Sequence, residues 1–219
     1  MIVEKKDIQN TANVESDNQN SEQKPKSFWE WLAAELFDYA EMFVFAAMAV
    51  LLIFTFGLRL CTVSGDSMVQ TLYDGEQLLV SNLGYRPKQG DILIFHQTSE
   101  TYERFNEPIV KRVIATEGQW IDINRVSGTV TIYDENFENP QILDESAYRY
   151  LDSGEWEIGH TMSFPVQVPQ GHLFVMGDNR NNSSDSSTSD VIGFVDGRRV
   201  LGRVICRLTP LQKFGPVEN

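Results

Sequence analysis

The chain is short of the residues that build metal centres and disulfide scaffolds. Its two cysteines, Cys61 and Cys206, allow one bridge at most and no framework. Cys61 flanks an apolar run, and the expectation is two free or buried thiols. Three histidines, His96, His160 and His172, are scattered without ligand spacing, and there is no C-x-x-C, so the pattern argues against a zinc site. Residues 178–189 begin like a calcium loop, but the third position is Arg180 and Ser183 stands where the sixth requires Gly. There is no Gly-rich phosphate loop. Basic excess is also missing: 18 Lys and Arg against 31 Asp and Glu give a net charge of −13, which disfavours a nucleic-acid binder. No metal, cofactor or nucleic acid is implied.

What is present is sharply segregated. The averages, 42% hydrophobic with a mean hydropathy of −0.27, describe an ordinary soluble acidic domain, yet they cancel a polar tail against an apolar run. Residues 1–26 are rich in Asn, Gln, Ser, Glu and Lys with little to bury after Ile8, and read as a disordered tail. Ser27, with Glu30 three residues on, has capping-box spacing. Over residues 27–41, Glu30, Glu35, Asp38 and Glu41 fall on one side of a helix and Phe28, Trp29, Leu32, Leu36 and Phe37 on the other, predicting an interfacial amphipathic helix. Residues 42–58 follow without a charge, near the lower limit of roughly 17 to 25 residues for a bilayer span. Tilt and snorkelling past Arg59 extend the expected transmembrane helix to residues 42–60. The acid-rich tail is a poor start for a cleavable signal, so an uncleaved anchor is expected. Lys24 and Lys26 before the span, against Arg59 alone after it, favour a cytoplasmic N-terminus and an extracytoplasmic remainder.

Residues 61–219 consist of short β-rich runs separated by turn signals: EQLLVSNL, DILIFHQ, PIVKRVIA, WIDI, TVTIY, HLFVMGD, VIGFV and VLGRVICRL. The expected fold is a mainly antiparallel β domain with an acidic insertion around residues 134–159.

Three segments combine small residues with reactive ones. In residues 64–72, SGDSMVQTL, Ser67 follows Gly-Asp where the backbone can turn and aim its N–H at an incoming carbonyl oxygen; alone, this is as readily a hydrophilic linker. In PIVKRVIA, Lys111 lies in an apolar strand with Arg112 on the opposite face. If Lys111 points inward, burial lowers its pKa toward a neutral amine that can take a proton from a serine; an edge lysine in water is the plainer reading. Residues 176–186, MGDNRNNSSDS, have the composition of an ordered polar network or of a surface turn.

Taken in order after a membrane anchor, these segments resemble the type I signal peptidases: S-G-x-S-M-x-x-T-L at 64–72, K-R-V at 111–113 and G-D-N-R-x-x-S-x-D-S at 177–186. The resemblance covers the span and the outer domain. It implies a mainly β, membrane-anchored serine endopeptidase that removes signal peptides from exported preproteins, with the bilayer and membrane-tethered preproteins as partners. It makes Ser67 the nucleophile and Lys111 the general base, with Ser183 orienting the lysine and Asp185, Gly177, Asp178, Asn179 and Arg180 in support. Small residues, typically Ala, are then expected one and three positions before the cut, with Met68, Leu72 and Val110 as candidate pocket walls. Three positions depart from the pattern. Gln70 replaces a Pro, residues 115–119 read ATEGQ in place of G-x-P-G-D, and Ser187 replaces an Arg. The last removes the charge partner expected for Asp185 and leaves Arg180 as an alternative. A non-catalytic anchored β module, or a degenerate peptidase, is the rival reading.

Overall fold

The computed structural model describes residues 27–97, 107–124, 126–151, 156 and 161–217. The predicted tail, the Glu30 side chain of the capping box and part of the predicted insertion lie outside them. The chain divides into two units, Met1–Ala47 and Met48–Asn219.

A single helix, α1 (Phe28–Phe56), runs for 29 residues. Two helices, at 27–41 and 42–60, were expected; neither Gly nor Pro interrupts this stretch, so nothing separates them. The helix stops where Gly57 donates its N–H to Ile53 O at 2.8 Å. Residues 58–60, assigned to the span, instead open a strand. Within α1, Trp31–Thr55 is long and apolar enough to cross a membrane, with a mean hydropathy of 2.0 and none of it buried.

The remaining elements are β1 (Leu58–Thr62), β2 (Gln77–Ser81), β3 (Ile92–His96), β4 (Pro108–Thr116), β5 (Trp120–Asn124), β6 (Thr129–Tyr133), β7 (Gln141–Ile142), β8 (Val166–Gln167), β9 (His172–Met176), β10 (Val195–Asp196), β11 (Val200–Thr209) and β12 (Gly215–Pro216). They form two antiparallel sheets, one ordered β1-β2-β11-β3-β4-β9-β10 with β12 on β11, the other β7-β6-β5-β8. The expected mainly antiparallel β architecture is what is found. Strands β5 and β6 alternate, burying Ile121, Ile123, Val130 and Ile132. These side chains pack with Ile114, Phe174 and Met176 of the larger sheet. Strands β3, β4 and β9 are buried almost throughout, which explains their near-continuous apolar sequence. Leu93 of β3 lies opposite Lys111, and Met176 of β9 opposite Arg112, so both basic residues occupy the sheet interior.

Candidate active site

Beyond β1 the chain turns sharply. Gly65 takes φ +83°, a backbone that favours glycine, and donates its N–H to the Asp74 carboxylate at 2.8 Å. A helical turn begins at Met68, whose carbonyl accepts the N–H groups of Thr71 and Leu72 at 2.8 Å. Met68 and Leu72 share one face of this turn and are wholly buried with Leu78, Val80, Ile92 and Ile94. Each contributes about 1.5–3 kcal/mol of burial and fixes the turn that carries Ser67. They therefore anchor the Ser67 backbone, and neither is among the residues that line the cleft beside it, where the sequence suggests pocket walls. Ser67 itself is half-buried, and among the described residues its N–H donates no hydrogen bond.

Lys111 projects from β4 with only 3% of its surface exposed. Its Nζ donates to Ser67 Oγ at 2.6 Å. Burial pushes the amine from its ordinary 10.5 down to about 8, against the opposing pull of the Asp185 and Asp178 carboxylates. Arg112 does take the opposite face of the strand, but that face is buried too. Its Nε and Nη2 grip the two Asp178 oxygens, each at 2.9 Å, and Nη1 donates to Gly90 O at 2.9 Å. Thr71 Oγ1 also donates to Asp178. This ties the Ser67 turn to the strand bearing Lys111 and to the loop after β9.

That loop, residues 177–187, closes the site. Asn179 donates its backbone N–H to Ser67 O at 3.0 Å and its side-chain amide to Asp66 O at 3.1 Å. Gly177 packs so closely that a Cβ would lie 2.5 Å from Ser67 O and 2.3 Å from Ser183 Oγ. Ser183 donates to Asp185 Oδ2 at 2.9 Å, which also accepts the Gly177 N–H at 3.1 Å. Asp185, whose charge bears on Lys111, thus links Ser183 to the amine. Among the described residues no arginine forms an ion pair with Asp185. Ser187, standing where the family pattern has Arg, donates its N–H at 3.1 Å and its hydroxyl at 2.6 Å to Asp185 Oδ1. Four donors thus hold this buried carboxylate, while Lys111 and Arg180 act on it by charge without an ion-pair contact among the described residues.

Arg180, the alternative partner, feels the Asp185 charge but makes its hydrogen bonds elsewhere. It forms a bidentate pair with Glu145, Nη1 to Oε2 at 2.9 Å and Nη2 to Oε1, while its Nε donates to Gly177 O at 3.0 Å. The insertion is stitched to the loop again at Tyr150, whose N–H donates to Asp178 O at 2.8 Å and whose carbonyl accepts the Arg180 N–H at 3.1 Å. The Arg112 guanidinium stacks 4.1 Å from the Tyr148 ring. Glu145, Tyr148, Tyr150 and Thr71 are the site residues that sequence reasoning missed. A hint lay in ESAYRY, one acid and two tyrosines close together in a polar insertion.

Ser67 and Lys111 meet in a cleft of about 320 Å³. One wall is residues 61–67 and the other residues 107–111, Val110 included. A serine hydroxyl touching a buried amine of depressed pKa, with a free backbone N–H and an open cleft beside it, is the equipment of a nucleophilic hydrolase.

The family of signal peptidases, peptidase S26, matches residues 36–209. A probable signal peptidase I-1 of Synechocystis sp. is 32% identical over 164 residues, covering 72% of this chain and 74% of the relative. The signal peptidase I of Leptolyngbya laminosa is 31% identical over 159 residues, 70% of each chain. That of Bacillus amyloliquefaciens is 30% identical over 184 residues, 82% of this chain and 84% of its own. The chain belongs to the signal peptidase S26 family. Its activity is that of a signal peptidase I, a serine endopeptidase acting on the signal peptides of preproteins.

Proposed function

We propose that Ser67 is the nucleophile and Lys111 the general base, in a membrane-anchored peptidase that cuts preproteins after small residues. The observation that carries this is the 2.6 Å contact between Lys111 Nζ and Ser67 Oγ. With a pKa of about 8, a usable fraction of the amine is neutral near pH 7. The neutral amine takes the Ser67 proton as Oγ attacks the scissile carbonyl. The C–N bond then breaks, and the ammonium returns that proton to the leaving amine. Water, deprotonated by the same amine, attacks the acyl-enzyme; the C–Oγ bond breaks, the ammonium returns the proton to Ser67 Oγ, and the acid is released. The Ser67 N–H faces the developing oxyanion.

The rest of the machinery positions this pair. Arg112, Asp178 and Asn179 hold the Ser67 turn, while Gly177, Ser183 and Asp185 close around the amine and Arg180 braces the loop. Among the described residues, strand β1 pairs on one side only, with β2, and residues 108–110 of β4 have no partner on the β9 side. Both line the cleft, so an extended preprotein adds as a strand between them. A pocket fitted to a methyl group at Val110 excludes larger side chains. Helix α1 crosses the bilayer with the N-terminus in the cytoplasm, holding the catalytic domain on the outer face where substrates emerge.

The test mixes detergent-solubilised full-length protein with a preprotein bearing an Ala-X-Ala site. Ser67→Ala, Lys111→Ala and Lys111→Arg should all abolish cleavage. Normal cleavage by Lys111→Arg would defeat the neutral-amine mechanism, because arginine does not deprotonate in proteins.

A further inference from the structure

A second cavity, of about 370 Å³, opens away from the peptidase cleft between the loop after β2 and strand β11. Arg86, Lys88 and Arg203 line it together with Leu83, Tyr85 and Ile205. In a chain of charge −13, three cations converging on one pocket stand against the prevailing field. Arg203 is shared, with Asp91 Oδ1 3.4 Å from its Nη1, and it lies over the Tyr85 ring. Asp91 is already occupied, accepting from Tyr85 OH and from the Lys88 N–H. The exposed side chains of Arg86 and Lys88 have no ion-pair partner among the described residues.

The position matters as much as the charge. Ser81, on the cavity wall, donates its hydroxyl to Gly57 O at 2.8 Å, and its strand partner is Leu58. Gly57 is the first residue beyond α1, so the cavity lies beside the point where the chain leaves the helix. Leu83 is 77% exposed and Ile205 38%. A free anion has no use for them, whereas an amphiphile with a phosphate head and acyl tails matches both halves of the lining.

We propose that this cavity binds the phosphodiester headgroup of an anionic phospholipid, with Arg86 and Lys88 on the phosphate and Leu83 and Ile205 against the first methylenes. It rests on the reading of α1 as a membrane span, which places the cavity at headgroup level.

The experiment uses full-length protein in neutral detergent and native mass spectrometry, titrating dihexanoyl-phosphatidylglycerol, dihexanoyl-phosphatidylcholine or inorganic phosphate. Wild type should retain phosphatidylglycerol in preference to the other two. Arg86→Gln should weaken retention about fivefold and Arg86→Gln with Lys88→Gln about thirtyfold, as follows from roughly 1 kcal/mol per surface cation. Both variants should melt with wild type, since neither side chain is in the core. Arg199→Gln, outside the cavity, should leave retention unchanged. Equal retention by wild type and the double variant, the same loss in Arg199→Gln, or phosphate binding as well as the lipid would each overturn the site. Alkaline carbonate applied to phosphatidylcholine vesicles carrying the protein tests the anchor separately. Release of the chain would remove the headgroup placement, whatever the micelle titration shows.

Discussion

The Arg180 guanidinium is held by the Glu145 carboxylate through two hydrogen bonds, with side chains only 0% and 3% exposed. Glu145 belongs to the acidic insertion and Arg180 to the loop that closes on Ser67, so the pair fastens the insertion to the site. Removing one partner of such a buried pair leaves the other charge uncompensated, at about 3–5 kcal/mol.

Glu145→Gln should therefore lower the melting temperature markedly and reduce kcat, because Arg180 also positions Gly177 through its carbonyl. Arg180→Met combined with Glu145→Gln should recover part of the stability, since no buried charge then remains, but not the activity. Denaturant unfolding alongside preprotein cleavage separates the two. Additive losses in the double variant would show that the two side chains do not act as a pair.

Gly177→Ala should be inactive. The added methyl would lie 2.5 Å from Ser67 O and 2.3 Å from Ser183 Oγ, and the first of these is backbone that cannot swing aside. The loop must retreat, lengthening the 3.0 Å bond from Asn179 N–H to Ser67 O and moving Oγ off the amine. Expected is a loss of at least about 100-fold in kcat/KM with the fold retained by circular dichroism. Wild-type kinetics would mean that the close approach is unimportant.

The parts of this site visible in the sequence are those carried by short contiguous segments. Ser67 and Lys111 could be named because each sits in a compact box, and the strands because their apolar runs are bounded by turn residues. Partnerships across long separations were not visible. Arg112 finds Asp178 across the sheet, and nothing in PIVKRVIA says that both strand faces are buried. Glu145 lies in a segment without periodicity, so no pattern distinguished it from the acids around it. Strand β1 was hidden because Leu58 continues the apolar run of α1, although Gly57 is a recognisable helix stop. Met68 and Leu72 were offered as pocket walls from their nearness in sequence to Ser67, which does not show that a turn of helix directs both into the core.

Asp185→Asn should move the acid limb of the kcat/KM profile to lower pH. The Asp185 carboxylate favours the protonated form of Lys111 and raises its pKa. Without that charge the amine deprotonates more readily, so the variant retains a larger fraction of its own maximum at pH 6, even if that maximum falls through loss of the Ser183 and Gly177 contacts. A limb that stays in place or moves to higher pH would detach Asp185 from the amine.

The buried Lys111 amine should also destabilise the fold at neutral pH. In the unfolded chain Lys111 keeps its proton up to about 10.5, whereas in the folded protein it releases it near about 8. The unfolded state binds more protons between these values, so stability rises with pH across that window. Below it, the buried ammonium costs about 3 kcal/mol, offset in part by the bond to Ser67. Lys111→Met should thus be inactive yet more stable than wild type by about 2 kcal/mol at pH 6. The advantage should shrink as pH climbs from 8 and be lost above 10.5. Urea denaturation of both proteins at several pH values measures this. A variant less stable than wild type at pH 6 would mean that the ammonium is better solvated in the folded state than its 3% exposure allows.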